Sequence, residues 1–110
     1  MSYNVIAIQR FRKELKKLAK KYPSLKSEYA ELIDSLEKNP KQGDDLGKNC
    51  YKIRMSVASK GKGKSGGARI ITHVRVLETT VYLLSIYDKS EQESIADKEI
   101  LSILDDLSKE

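Results

Sequence analysis

The chain has 110 residues, 34% charged and 39% hydrophobic, with 21 Lys and Arg against 16 Asp and Glu, for a net charge of +5. That length suits a single domain spanning 1–110, and the clustered apolar residues mark a folded rather than a disordered chain. No apolar run approaches the ~20 residues of a membrane span, and Arg10, Arg12 and Lys13 directly behind Val5–Ile8 do not fit a signal peptide. One cysteine excludes a disulfide framework and a cysteine-based zinc site, and one histidine argues against an ordinary metalloenzyme. A cytoplasmic protein without metal or cofactor is expected.

Tyr3 to Ile8 is rich in β-formers and reads as a first strand. The period then changes. Phe11, Leu15, Leu18, Ala19 and Tyr22 form one helical stripe, and Leu25, Tyr29, Leu32, Ile33 and Leu36 form a second after the break at Pro23-Ser24. Residues 9–39 are therefore expected to be two antiparallel helices sharing an apolar seam. Asn39-Pro40 ends the second, and Lys41 to Asn49 reads as a polar loop. Cys50 to Ala58 alternates cleanly, with Tyr51, Ile53, Met55 and Val57 on one face and Lys52, Arg54 and Ser56 on the other. A glycine-lysine loop, Ser59 to Gly67, joins it to a strand over Ala68 to Leu77. Glu78-Thr79-Thr80 reads as a turn and Val81 to Tyr87 as the next strand. Ser90-Glu91-Gln92-Glu93 fits a capping box, followed by a helix with Ile100, Leu101, Leu104 and Leu107 as its stripe. The order is β-α-α-β-β-β-α. Its segregated helices and strands predict an α+β fold with helices on one face of a mainly antiparallel sheet. The opposite face is expected to carry Lys52, Arg54 and Arg69.

The charge is unevenly spread. Residues 1–22 carry a net +6 and residues 76–110 a net −6, whereas residues 48–75 hold eight basic side chains and no acid. An uncompensated cationic cluster suits a polyanion, with nucleic acid the first candidate. Gly63-Lys64-Ser65 superficially resembles the end of a phosphate-binding loop, but that signature needs glycine where Ala58 stands and a helix where a strand follows. A nucleotide triphosphatase is rejected. The glycine-rich backbone with Lys60, Lys62 and Lys64 still suits close approach to phosphates. The lone His73 reads as structural, and Cys50 as a small buried residue at a strand start. The basic first helix lacks the tryptophan and the broad apolar face of a membrane-surface helix.

Residues 50–89 resemble the RelE/HigB-like toxins of bacterial toxin–antitoxin modules, within the wider RelE/ParE superfamily. The resemblance rests on Tyr51-Lys52-Ile53-Arg54, on the loop Ser59-Lys60-Gly61-Lys62-Gly63-Lys64-Ser65-Gly66-Gly67 leading into Arg69, and on Tyr87-Asp88-Lys89 closing the next strand. It implies a RelE-like fold: an N-terminal strand and helical hairpin packed on the sheet, with a C-terminal helix. It also implies a metal-independent, ribosome-dependent messenger-RNA endonuclease, restrained by a cognate antitoxin of helix-turn-helix type, with ribosome and messenger RNA as further partners and no membrane. The implied chemistry is attack of a ribose 2′-hydroxyl on the adjacent phosphate. That reaction needs a base, charge stabilisation at the phosphate and a proton for the leaving oxygen. Lysine, whose reference pKa is about 10.4, becomes a better base among other cations.

Carried over residue by residue, the resemblance makes Arg69 the phosphate clamp and gives Lys64 and Lys89 the transition-state charge. Tyr87 becomes the stacking or acid group, Lys52 and Arg54 bind substrate or take part as base, and Lys60 and Lys62 touch RNA. Some RelE-like enzymes carry a catalytic tyrosine in the last helix, where this chain has Ile95 and its neighbours, which leaves Tyr87 as the candidate acid. Two other readings stand beside this one: a ParE-like toxin that binds DNA gyrase without RNA chemistry, and a non-catalytic RNA-binding protein.

Overall fold

The helical hairpin forms where the 3.6-residue apolar period requires it. A computed structural model, which describes residues 2–61 and 66–109, gives α1 as Gln9–Lys21 and α2 as Leu25–Lys38. Lys20 and Lys21 fall in the last turn of α1, where cations favour the helix dipole. Strand β1 (Asn4–Ala7) precedes the hairpin. After it come β2 (Asp44–Gly47), β3 (Cys50–Met55), β4 (Ala68–Arg75), β5 (Thr80–Asp88) and α3 (Asp97–Ser108). The five strands form one sheet in the order β1-β5-β4-β3-β2, with β1 parallel to β5 and the other pairs antiparallel. This is the expected α+β architecture.

The hairpin covers one sheet face. Phe11, Leu25 and Leu36 are fully buried against Ile53, Val57, Ile70, Val74, Val81, Leu83 and Ile86. Phe11 also meets the Tyr29 ring at 5.8 Å between centroids. Truncating a core aromatic loses its transfer free energy and leaves a cavity. Phe11→Ala is therefore expected to cost about 4 kcal/mol, read as a lower urea midpoint at unchanged slope.

Three sequence expectations need correction. First, the polar loop 41–49 contains β2, which pairs antiparallel with β3. Every residue of β2 is exposed, so no apolar alternation marks it; Asp44 and Asp45 make it a charged sheet edge that resists further strand addition. Gly43, at φ +97, permits the approach: a Cβ there would collide with the Lys52 carbonyl. Second, Ser90–Glu93 starts no helix. Ser90 hydrogen-bonds back to the Asp88 carboxylate through both N–H (2.9 Å) and Oγ (2.7 Å), and α3 begins only at Asp97. Third, the helices do not lie on one face. The apolar stripe of α3, Ile100, Ile103 and Leu107, packs with Ile95 against Cys50, Ile71, Leu84 and Tyr87 on the opposite face.

A β-bulge decides what β5 presents to each face. Between β4 and β5 the register runs Ile71↔Ser85 and then Thr72↔Leu83, so Leu84 is the extra residue. Without it, Tyr87 would share a face with Val81 and Leu83 by simple alternation. With it, Ile86 returns to the hairpin core and Tyr87 turns to the α3 side, level with Arg69. Downstream of the bulge β5 has lost β1 as a neighbour. There Glu14 of α1 accepts hydrogen bonds from Ser85 Oγ (2.9 Å) and the Ile86 N–H (3.3 Å).

Candidate active site

Arg54, Arg69 and Tyr87 lie side by side across three strands. Arg54 is directly opposite Arg69 on β3–β4, and Arg69 is directly opposite Tyr87 on β4–β5. Directly opposed side chains in an antiparallel pair sit within about 5.5 Å at Cβ. On the next rung Lys52 faces Ile71, and on its other side Asp44 of β2. The row runs from solvent inward: Arg54 is exposed, Lys52 is half-buried, and Arg69 and Tyr87 are 4% and 5% exposed. The expected open cationic face is therefore a graded one, with its central arginine buried. Arg69 Nη1 donates to the Ala68 carbonyl at 3.2 Å.

Tyr87 completes the row with a proton-bearing group. Its hydroxyl is buried and has no hydrogen-bond partner among the described residues. Burial pushes its phenol pKa up, against an opposing pull from the Arg69 charge. The phenol thus stays protonated at neutral pH. A buried hydroxyl without a partner costs free energy, and such sites often mark function.

The remaining sequence candidates lie as follows. The side chain of Lys89 is 27% exposed, its Nζ 3.5 Å from Glu93 Oε1. That glutamate is nearly fully exposed, so the contact is weak. Lys62 and Lys64 lie outside the described residues. Lys60, expected at RNA, points inward: its side chain is 5% exposed and paired with Asp88, whose own is 1% exposed. Its charge is therefore already engaged within the fold. His73 sits across from Cys50, its Nδ1 3.6 Å from the Cys50 Sγ. Burial and the neighbouring Arg75 hold its pKa down, so it is neutral at pH 7. Cys50 is fully buried, which pushes its thiol up to about 11. His73 stands four residues along β4 from Arg69, too far to share its chemistry. Among the described residues, no three His, Cys, Asp or Glu side chains converge in a way that could hold a metal, and no helix is long and apolar enough to cross a membrane.

Asp88 is the residue that sequence reasoning passed over. Besides Lys60 and Ser90 it accepts a hydrogen bond from Tyr22 Oη at 2.8 Å. The available signal was an acid at the end of an otherwise apolar strand. Burial alone would push this carboxyl up, but hydrogen bonds from Lys60, Ser90 and Tyr22 hold it well below the usual carboxylate range. Its folded pKa thus lies below the unfolded value of about 3.9. The resulting stability is complete above that pH and is lost as pH falls below it. Asp88→Asn leaves Lys60 buried without its anion and is expected to cost about 3 kcal/mol at pH 7. Stability measured from pH 7 to pH 2 should decline less in this variant than in the wild type.

Known proteins share the family and the fold of this chain. A family model described as the RelE toxin of the RelE/RelB toxin–antitoxin system matches residues 9–109. The chain belongs to the RelE toxin family. Its fold is similar to that of a free mutant of the Escherichia coli toxin RelE, with a TM-score of 0.62 and 20% identity over 84% of this chain and 90% of that one. It is also similar to the RelBE2 toxin–antitoxin complex of Mycobacterium tuberculosis, with a TM-score of 0.55 and 17% identity over 80% and 92%. For the intact E. coli RelBE complex the TM-score is 0.50, with 22% identity over 79% and 96%. At these identities the structures share the fold, while the side chains of this RelE-family toxin must be argued from its own residues. Among the described residues, two surface recesses include neither Arg54 nor Arg69, although Tyr87 lines the second of them. One, of about 490 Å³, lies between α1 and α2; the other, of about 410 Å³, lies between α1 and the end of β5. The cationic row belongs to a sheet face, a shape suited to an extended strand.

Proposed function

We propose that the protein is a messenger-RNA interferase, a metal-independent endoribonuclease that cuts messages on the ribosome and is held in check by a cognate antitoxin. The observation that carries this reading is the Arg54–Arg69–Tyr87 row: two cations beside a protonated phenol on one face of the sheet. Family membership supports it, and two of the similar structures are toxin–antitoxin complexes.

In this mechanism Arg54 and Lys52 bind the phosphodiester from the solvent side and Arg69 clamps the scissile phosphate through its fork of N–H donors. The 2′-hydroxyl proton passes to Lys52 acting as the neutral amine, and the 2′-oxygen forms a bond to phosphorus. The bond from phosphorus to the 5′-oxygen breaks, and that oxygen takes the Tyr87 phenolic proton. The products are a 2′,3′-cyclic phosphate and a free 5′-hydroxyl. Lys64 and Lys89 add positive charge as the phosphate gains negative charge.

Primer extension on a reporter message in a reconstituted translation system, with and without ribosomes, tests the reading. Discrete cuts that require ribosomes and leave a cyclic phosphate are expected. An intact message with unaffected translation would overturn it, and a gyrase supercoiling assay would then test the ParE-like reading.

A further inference from the structure

Lys60 and Asp88 are both about nineteen-twentieths or more buried at the side chain, and they share a recess with Tyr22, Leu25, Val57 and Ala68 on the hairpin side of the sheet. Asp88 follows Tyr87 on β5 and stands opposite Ala68, the residue before Arg69. Its carboxylate accepts hydrogen bonds from Lys60 Nζ, Tyr22 Oη, the Ser90 N–H and Ser90 Oγ. Lys60 Nζ also donates to Ser90 Oγ at 3.2 Å and lies 5.4 Å from the centre of the Tyr22 ring. Lys60 closes a single 3-10 turn, Ala58–Lys60, at the start of the glycine-lysine loop. That turn is also held by the hairpin: Glu28 accepts from the Ala58 N–H at 2.7 Å and Ser24 Oγ from the Ser59 N–H at 2.9 Å. At the other end of the loop the Lys89 N–H donates to the Gly67 carbonyl at 3.0 Å.

We infer that Lys60 and Asp88 form a clasp that ties the start of the loop to the end of β5 and so positions Arg69 against Tyr87. This role rests on the ribonuclease reading above. The physical reason is directional. A buried ion pair gives no more stability than a well-packed apolar pair, because desolvation offsets the attraction. With four donors converging, however, the pair admits one arrangement of the strand ends, whereas apolar packing tolerates several. Lys60 is then a positioning residue and makes no contact with RNA.

The test uses Lys60→Met, Asp88→Asn, the double variant and the milder Tyr22→Phe, which removes one donor and keeps the ring. Single-turnover cleavage of ribosome-bound message is expected to slow about 30-fold in either single variant, as displaced reacting groups lose rate steeply. The concentration for half-maximal rate should stay within twofold, with its salt dependence unchanged. The double variant should be no slower than the singles, the mark of residues acting as a unit. Tyr22→Phe, folded even where Asp88→Asn is not, should slow cleavage about threefold. Amide exchange gives a readout independent of activity: the Gly61 and Lys89 N–H groups should exchange faster while Val81 is unchanged. If Lys60→Met alone weakens binding and lowers the salt slope by about one, Lys60 is an RNA contact and the clasp is overturned. Wild-type rates and exchange in the variants overturn it too. A wild type that cleaves nothing while the variants still loosen Gly61 and Lys89 would remove the ribonuclease reading and retain the clasp.

Discussion

Arg69→Ala is expected to slow message cleavage about 10³-fold, roughly 4 kcal/mol of transition-state stabilisation, the scale seen when one donor to a developing oxyanion is removed. The guanidinium is buried, where charge is screened less, so in the proposed mechanism its effect on phosphate charge is expected to exceed that of the exposed Arg54. Arg69→Lys keeps the charge and loses the planar fork, and an intermediate loss of about 30-fold is expected. Arg54→Ala should act mainly on binding, raising the half-saturating concentration several-fold and leaving the saturated rate near wild type. Single-turnover assays at saturating toxin, with urea melts to confirm that each variant is folded, separate these outcomes. A folded Arg69→Ala protein that cuts within threefold of wild type would remove Arg69 from the chemistry.

How far the sequence leads toward that site differs from element to element. The hairpin was legible because Phe11, Leu15, Leu18, Leu25, Leu32 and Leu36 keep helical spacing over two long stretches. The β3 alternation correctly placed Lys52 and Arg54 opposite the hairpin core. Strand β2 was not legible, since its four residues are all exposed and its pairing is carried by backbone alone. The burial of Arg69 ran against the general tendency of cations to stay exposed. It depends on β5 lying directly beside it, a long-range fact that no local pattern encodes. The bulge left a partial trace: Val81-Tyr82-Leu83-Leu84 breaks alternation, as a strand covered on both faces does. The helices were nevertheless expected on one face, and the period alone could not say which residue of the run was extra. Asp88 is similar. Its sequence position was plain, while its role depends on Tyr22 and Lys60, 66 and 28 residues away.

Tyr87→Phe should separate activity from stability. The hydroxyl is buried and lacks a partner among the described residues. Deleting it removes a desolvation cost rather than a bond, and the variant is expected to be as stable as wild type or more stable by about 1 kcal/mol. Cleavage should nevertheless fall about 10²-fold, the usual size of a lost general acid. The substrate can be changed to show which step is affected. A message with sulfur in place of the bridging 5′-oxygen at the cut site has a leaving group that departs without a proton. On that substrate Tyr87→Phe should cut nearly as fast as wild type, whereas Arg69→Ala should stay slow, because phosphate charge still needs its clamp. If Tyr87→Phe remains 10²-fold slow on the sulfur substrate, the tyrosine orders the strand by stacking and the leaving oxygen takes its proton elsewhere. If the variant instead melts early, the phenol is part of the packing between β5 and α3. The hydroxyl without a partner among the described residues favours the first outcome: a polar atom kept buried at a cost, one strand from a buried arginine, is what the proposed proton transfer to bound substrate calls for.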